Sequence, residues 1–224
     1  MWAVLSDDTK KGGKWNEAEF FETGRTQISG ELKKLRDAGI QLNWNRALDF
    51  GCGPGRLTQA LADYFSVVDG LDISSSMIEK ANALNKAPER IHYHVNPRSD
   101  LSVLASDSYD FIYSVIVLQH IPPEIQERYI SEFIRLLKPG GVACFQTIHT
   151  HSWRACVPNW FVELYRAYKH RARAYIPMYG LPPHRVRGAI SSRGGVLRHY
   201  EQGSLQSWES RFKADYFTAL KPTG

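Results

Sequence analysis

The stretch Arg46-Ala47-Leu48-Asp49-Phe50-Gly51-Cys52-Gly53-Pro54-Gly55-Arg56-Leu57-Thr58-Gln59-Ala60-Leu61 decides the fold. Ala47 to Phe50 reads as a short strand. Gly51, Gly53 and Gly55 then stand at alternate positions. Lacking a Cβ, they allow a tight turn and let a ligand approach the backbone. Arg56 to Phe65 follows as a helix, with Leu57, Ala60, Leu61 and Phe65 on one face. The amides at its start face the ligand.

Outward from that unit, short apolar runs alternate with helical periods. Val67 to Leu71 reads as a second strand. Ser75 to Leu84 is a helix capped by Ser74 or Ser75, with Met77, Ile78, Ala81 and Leu84 inward. Ile91 to Val95 is a third strand, and Tyr109 to Leu118 a fourth apolar run. Pro122 and Pro123 suit a helix start, and the helical period runs to Leu137 before Pro139-Gly140-Gly141 ends it. Val142 to Ile148 is the fifth strand. Strand and helix in alternation imply a parallel sheet covered on both faces, with ligands at the carboxyl ends of the strands.

Asn16 to Ala38 reads as one or two helices packed over the sheet. Beyond Thr150, Asn159 to Ala172 reads as an amphipathic helix, and Val196 to Tyr200 and Asp215 to Leu220 as final strands. The expected fold class is α/β, a doubly wound, mostly parallel seven-stranded sheet. The expected organisation is an N-terminal helical cap (1–45), a cofactor-binding core (46–148), a helical lid or substrate insertion (149–195) and final strands (196–224).

Asp72 ends the second strand, 17 residues beyond Gly55. A carboxylate there can accept hydrogen bonds from both ribose hydroxyls of an adenosine ligand, or it can cap a helix. The dinucleotide fingerprint is G-x-G-x-x-G, whereas this loop is G-x-G-x-G with Asp49 two residues before it. A carboxylate beneath the loop repels a pyrophosphate and favours a cationic ligand end, or it only caps loop amides.

Four segments, ALDFGCGPGRLTQAL, VVDGLDISSSMIEKAN, DFIYSVIVLQHI and IRLLKPGGVACFQT, resemble in order and spacing the class I (Rossmann-like) methyltransferases, in particular the small-molecule group. The resemblance implies S-adenosylmethionine as cofactor and S-adenosylhomocysteine as product. It places Asp49, Gly51, Cys52, Gly53 and Gly55 at the methionine part and Asp72 at the ribose. Ile73 and Met77 would pack on the adenine. Asn96 stands where the family often has an acid for the adenine amino group. Ser114 and Val115 would lie near the sulfonium, with Gln119 and His120 just beyond. Leu137-Lys138-Pro139-Gly140-Gly141 resembles the structural turn into the fifth strand. Phe20 to Arg25 resembles the helix that closes over the cofactor, and Arg25 would meet the cofactor carboxylate.

Methyl transfer is an in-line displacement that rests on holding nucleophile and methyl in line. A base is needed only if the nucleophile sheds a proton. His120 is the best-placed candidate, with an orienting or capping role as the competing reading; His149 and His151 come next. The fourth strand lacks the D/N-P-P-Y ending of amino-methylating nucleic-acid enzymes, and no Pro-Cys pair suggests attack on a cytosine ring. No acidic cluster suggests a magnesium site.

The acceptor is expected under residues 149–195, where His149, Trp153, Trp160, Tyr165 and Tyr179 are the candidate contacts and aromatic walls suit a small organic molecule. Net charge is +5, yet Thr150 to Tyr200 alone carries nine Arg or Lys against one acid, Glu163. That excess suits an anionic acceptor; a solvated face or an RNA or peptide substrate are the other readings. A catalytically silent cofactor-binding protein is opposed by the intact glycines and Asp72. Cys52, Cys144 and Cys156 form no CxxC pair, which argues against zinc or a disulfide framework. No signal-like N-terminus and no long apolar run are present, so a cytoplasmic protein is expected.

Overall fold

The computed structural model describes residues 16–150, 178–203 and 212–223. In chain order the elements are α1 (Glu17–Asp37), β1 (Arg46–Phe50), α2 (Arg56–Leu61), β2 (Val67–Asp72), α3 (Ser75–Ala83), β3 (Ile91–Val95), β4 (Tyr109–Ser114), α4 (Pro123–Leu136), β5 (Leu137–Thr150), α5 (Pro183–Ser191), β6 (Val196–Gln202) and β7 (Phe212–Leu220). They build one seven-stranded sheet in the order β3-β2-β1-β4-β5-β7-β6. The first five strands are parallel. β7 inserts antiparallel between β5 and β6. The expected architecture holds.

Ala47 to Phe50 is buried throughout, the continuous apolar run of a strand covered on both faces. One face packs Ile130, Phe133 and Ile134 of α4 with Val186 and Ile190 of α5. The other packs Ile28, Leu32 and Leu35 of α1 with Leu57 and Leu61 of α2. α1 is one helix. Asn16 caps it by accepting from the Ala18 amide at 2.9 Å, and Glu17 and Glu19 complement its first turn. α3 starts at its Ser74 cap, and α4 starts on Pro123 with Glu124 in its first turn.

Three local features differ from expectation. The fourth apolar run leaves the sheet at Ser114, because Ile116 has φ +62° and turns the chain into a single 3-10 turn, Leu118–His120. A β-branched residue there is a backbone outlier. Second, the Lys138–Gly141 turn lies inside β5: Leu137 pairs with Tyr109, then Val142 with Phe111. The intervening residues bulge, with Gly140 at φ +79° donating to the Lys221 carbonyl at 2.8 Å and Lys138 reaching Asp110. Third, α5 lies within 149–195 yet buries Val186, Ala189 and Ile190 in the core, so this part of the segment packs on α4. The helix expected over 159–172 lies outside the described residues.

Parallel β1 and β4 are neighbours, while β2 and β3 lie on the other side of β1. Strand order therefore reverses at β1, and a crevice opens at the carboxyl ends there.

Candidate functional site

The crevice is a cavity of about 540 Å³, within the ~300–1,000 Å³ range of small-molecule sites. The glycine loop forms its floor. Gly51, Gly53 and Gly55 all have positive φ, at +78°, +52° and +86°. Gly51 also has no room for a side chain, since a Cβ would lie 2.2 Å from Val117 Cγ2. The loop is held from β2, with the Gly51 and Cys52 amides donating to the Leu71 carbonyl at 2.7 and 2.9 Å.

Asp72 ties the two halves of the rim together. Its Oδ2 accepts from the Gly53 amide at 2.9 Å and its Oδ1 from the Ser74 amide at 2.8 Å. Ile73, beside it, is a large apolar side chain left exposed at the cavity wall. Asp49 lies beneath the loop and off the cavity wall. It is buried, and Thr58 Oγ1 donates to it at 2.6 Å. Burial pushes its carboxyl up to about 6, against the hydrogen bond from Thr58 and the nearby Arg56 charge. Burial likewise raises the Cys52 thiol, so it is no thiolate at neutral pH.

Among the sequence candidates, Gly51, Cys52, Gly53, Asp72, Ile73, Met77, Asn96, Val115 and His120 line the cavity. Asn96 turns inward on its own loop, Nδ2 donating to the Asp100 carbonyl at 2.9 Å. Gly55 and Ser114 support the site from behind; Ser114 is fully buried and its Oγ has no hydrogen-bond partner. Gln119 does not line the cavity, and its amide Nε2 lies 3.2 Å from His120 Nε2. Tyr179 comes next to it: its amide donates to the Gln119 carbonyl at 2.8 Å, and its own carbonyl accepts from Gln126 Nε2 at 3.1 Å. Trp153, Trp160, Tyr165 and His151 lie outside the described residues.

Arg25 is not brought to the cavity. It sits exposed on α1, with Nε donating to Asp63 at 3.1 Å and Nη1 to Glu22 at 3.4 Å. Arg56 lines the cavity instead, and the sequence reading missed it. Its place immediately after the last glycine was the available signal. Tyr129 was also missed as a wall residue: its α4 periodicity read as core, but its hydroxyl donates to the Arg98 carbonyl at 2.7 Å and closes the cavity edge.

His149 belongs to a different cluster at the carboxyl end of β5. Its Nδ1 meets Asp215 Oδ2, and Tyr200 donates to Asp215 Oδ1 at 2.9 Å. Asp215 is fully buried. Part of the basic segment is also spoken for within the chain. Arg185 pairs with Glu127 at 2.6 Å, Arg193 with Glu132 at 3.8 Å, and Arg187 lies over the Tyr200 ring at 5.7 Å. Among the described residues no group of three or more His, Cys, Asp or Glu could hold a metal ion. Nor, among them, is any helix long and apolar enough to cross a membrane.

Comparison with known proteins bears on this cavity. Residues 47–141 match the family model described as "Methyltransferase domain". A ubiquinone biosynthesis O-methyltransferase of Coxiella burnetii is 35% identical over 119 residues, covering 52% of this chain and 49% of that protein. The corresponding enzyme of Saccharophagus degradans is 28% identical over 133 residues, 54% of this chain and 56% of that one. The chain thus spans about half the length of the curated relatives it matches. Among solved structures, magnesium protoporphyrin IX methyltransferase from Synechocystis PCC 6803, with SAH bound, superposes with a TM-score of 0.62 at 19% identity, covering 95% of this chain and 90% of that one. The [4+2]-cyclase SpnF superposes with a TM-score of 0.63 at 17% identity, over 88% and 83%. These likenesses in structure establish the fold, and one fold hosts many chemistries. The match to the methyltransferase-domain family model, residues 47–141, thus lies on the strands, loops and cavity just described, and the fold around it is that of the class I, Rossmann-like methyltransferases.

Proposed function

We propose that the chain binds S-adenosylmethionine in the 540 Å³ cavity and transfers its methyl group to an oxygen of a small organic acceptor. One observation carries the reading: the Asp72 carboxylate, anchored to the amides of Gly53 and Ser74, stands at the cavity rim beside exposed Ile73. A diol-accepting carboxylate next to an apolar platform suits a ribose followed by an adenine.

The residues present fit that cofactor. Val117 fills the space that a side chain on Gly51 would need, so the end of β4 closes directly onto the glycine loop. Among the described residues the cavity wall carries no cluster of cations for a pyrophosphate, and Arg56 and Arg98 are its only guanidinium groups. Buried Asp49, below the floor, adds negative potential that favours an ammonium or sulfonium above it. When bound, the cofactor supplies an electrophilic methyl on a positively charged sulfur.

The chain's own residues hold and orient. Val115 and Val117 wall the space at the end of β4 with apolar side chains. His120, on the same wall, accepts the proton that the acceptor hydroxyl loses as the new C–O bond forms and the S–C bond breaks. The oxygen acceptor is supported by the O-methyltransferase relatives.

Titration calorimetry with S-adenosylmethionine and S-adenosylhomocysteine tests the cofactor. Binding at micromolar levels is expected, and about 100-fold loss in Asp72→Ala, the order of two lost charge-assisted hydrogen bonds. Wild-type affinity in that variant sinks the ribose role. Radiolabelled methyl transfer to phenols, but not to RNA or amines, is the expected acceptor pattern.

A further inference from the structure

Ile116 breaks two local rules at once. Its backbone is left-handed, at φ +62°, where a β-branched side chain is strained. It also leaves a large apolar residue 42% exposed at the cavity wall. The turn is held from both sides. The Ile116 amide donates to Gln146 Oε1 at 3.3 Å, and Gln146 is a buried residue of β5. Val117, next in the chain, occupies the space that a side chain on Gly51 would need, and its carbonyl accepts from the His120 amide at 3.0 Å. Leu118 then enters the core, fully buried. Ile116 cannot relax without releasing β5 or opening the contact with the glycine loop.

Neither feature favours the folded chain by itself. Glycine or asparagine takes a left-handed backbone at lower cost, and a polar side chain is better solvated on an open wall. Local rules are broken in this way where a site needs a group in a fixed place. A β-branched side chain is stiff about χ1, so it makes a fixed wall.

Position says what meets that wall. The glycine loop, Asp72 and Ile73 stand at the ends of β1 and β2, the part of the cavity taken by the cofactor in the reading above. Ile116 stands beyond the end of β4, between Val115 and the turn Leu118–His120. An acceptor whose hydroxyl lies between the methyl group and His120 lays its body along this stretch.

We propose that Ile116 is a specificity-determining residue for the acceptor, an apolar surface held against the face of an aromatic alcohol, and that Gln146 is the positioning residue that keeps it there. This rests on the cofactor and acceptor reading above.

The test is steady-state methyl transfer from S-adenosylmethionine to 4-propylphenol, with thermal unfolding and calorimetry on the same proteins. Ile116→Gly and Ile116→Asn both relieve the backbone, and each is expected to melt at or above the wild-type temperature. Each is expected to raise KM for 4-propylphenol about tenfold, the order of two methylenes no longer buried, with kcat falling less than about threefold and cofactor affinity within about twofold. Gln146→Met is expected to raise the same KM about threefold, and to add nothing in the Ile116→Gly background, because its effect passes through Ile116. Wild-type KM in both Ile116 variants overturns the proposal. A tenfold loss of cofactor affinity in them also overturns it, by giving the residue to the cofactor. An additive effect of Gln146→Met overturns the positioning role. If Ile116→Gly does not fold, Ile116→Asn decides and serves as the background. A wild type that binds the cofactor yet transfers no methyl to 4-propylphenol rejects the aromatic acceptor, and this inference with it, while the cofactor site stands. Failure to bind the cofactor rejects the reading on which both rest.

Discussion

The two sides of the sheet are built by different rules. On the side of β1, β2 and β3, every strand is parallel and the site comes from loops at strand ends: the glycine loop, Asp72-Ile73 and Asn96-Pro97. On the side of β5, β7 and β6, strands run antiparallel, and the polar cluster His149–Asp215–Tyr200 is assembled across three strands. The first side makes a cavity from short consecutive segments. The second makes a pinned network from residues far apart in sequence. A ligand site can be read locally on one and only in three dimensions on the other.

Four changes would break or sharpen that contrast. The largest effect is expected for Gly51→Ala. The left-handed backbone and the 2.2 Å approach to Val117 act together, so a loss of about 4 kcal/mol and of cofactor binding is expected. Thermal unfolding and calorimetry read both; a variant as stable as wild type would contradict the packing described.

Asp49 comes next, through pH. Its carboxyl is raised to about 6 when folded, above the usual carboxylate value. The sign follows: the stability it contributes is full below about pH 4 and is lost as pH rises through 6, by about 3 kcal/mol. Asp49→Asn should remove that slope in denaturant melts at pH 4 to 7. It should also weaken binding of the cationic cofactor at neutral pH. A variant with the same slope as wild type would show that another group titrates.

On the other side, Asp215→Asn should cost about 2 kcal/mol of stability, because it disrupts a buried carboxylate bonded to His149 and Tyr200. Cofactor affinity should stay within threefold. A large loss of affinity would mean that the two sides of the sheet are coupled. The smallest effect is expected for Arg25→Ala. Its pairs with Asp63 and Glu22 are exposed, so less than about 1 kcal/mol and no change in cofactor binding should follow.

The contrast also explains what the sequence disclosed. The strand–glycine–helix unit, the Ser74 cap, the α4 period and Asp72 are all local patterns, and each lies where it was expected. The choice between Arg25 and Arg56 was not local. It depends on the rotational phase of α1, which turns Thr23, Gly24 and Gln27 towards α2 and leaves Arg25, about 100° round from Gly24, over Asp63. The apolar run to Leu118 concealed the turn at Ile116, because its amide is held from another strand, by Gln146 Oε1 at 3.3 Å. Likewise, the bulge at Lys138–Gly141 depends on Asp110 and Lys221, remote in sequence. His149 was singled out, but its partners, 66 residues away at Asp215 and on β6 at Tyr200, carry no signature in sequence.

The insertion of β7 between β5 and β6 bears on how the protein is made. Synthesis delivers β6 before the strand that pairs with it, and leaves one edge of β5 bare from Thr150 until β7 is made. At ~5–20 residues per second, that edge of β5 stays open for roughly 4 to 14 seconds while the nascent chain lengthens from Thr150 to Leu220. A ribosome pause within that window would prolong the exposure of an edge able to pair with a neighbouring chain.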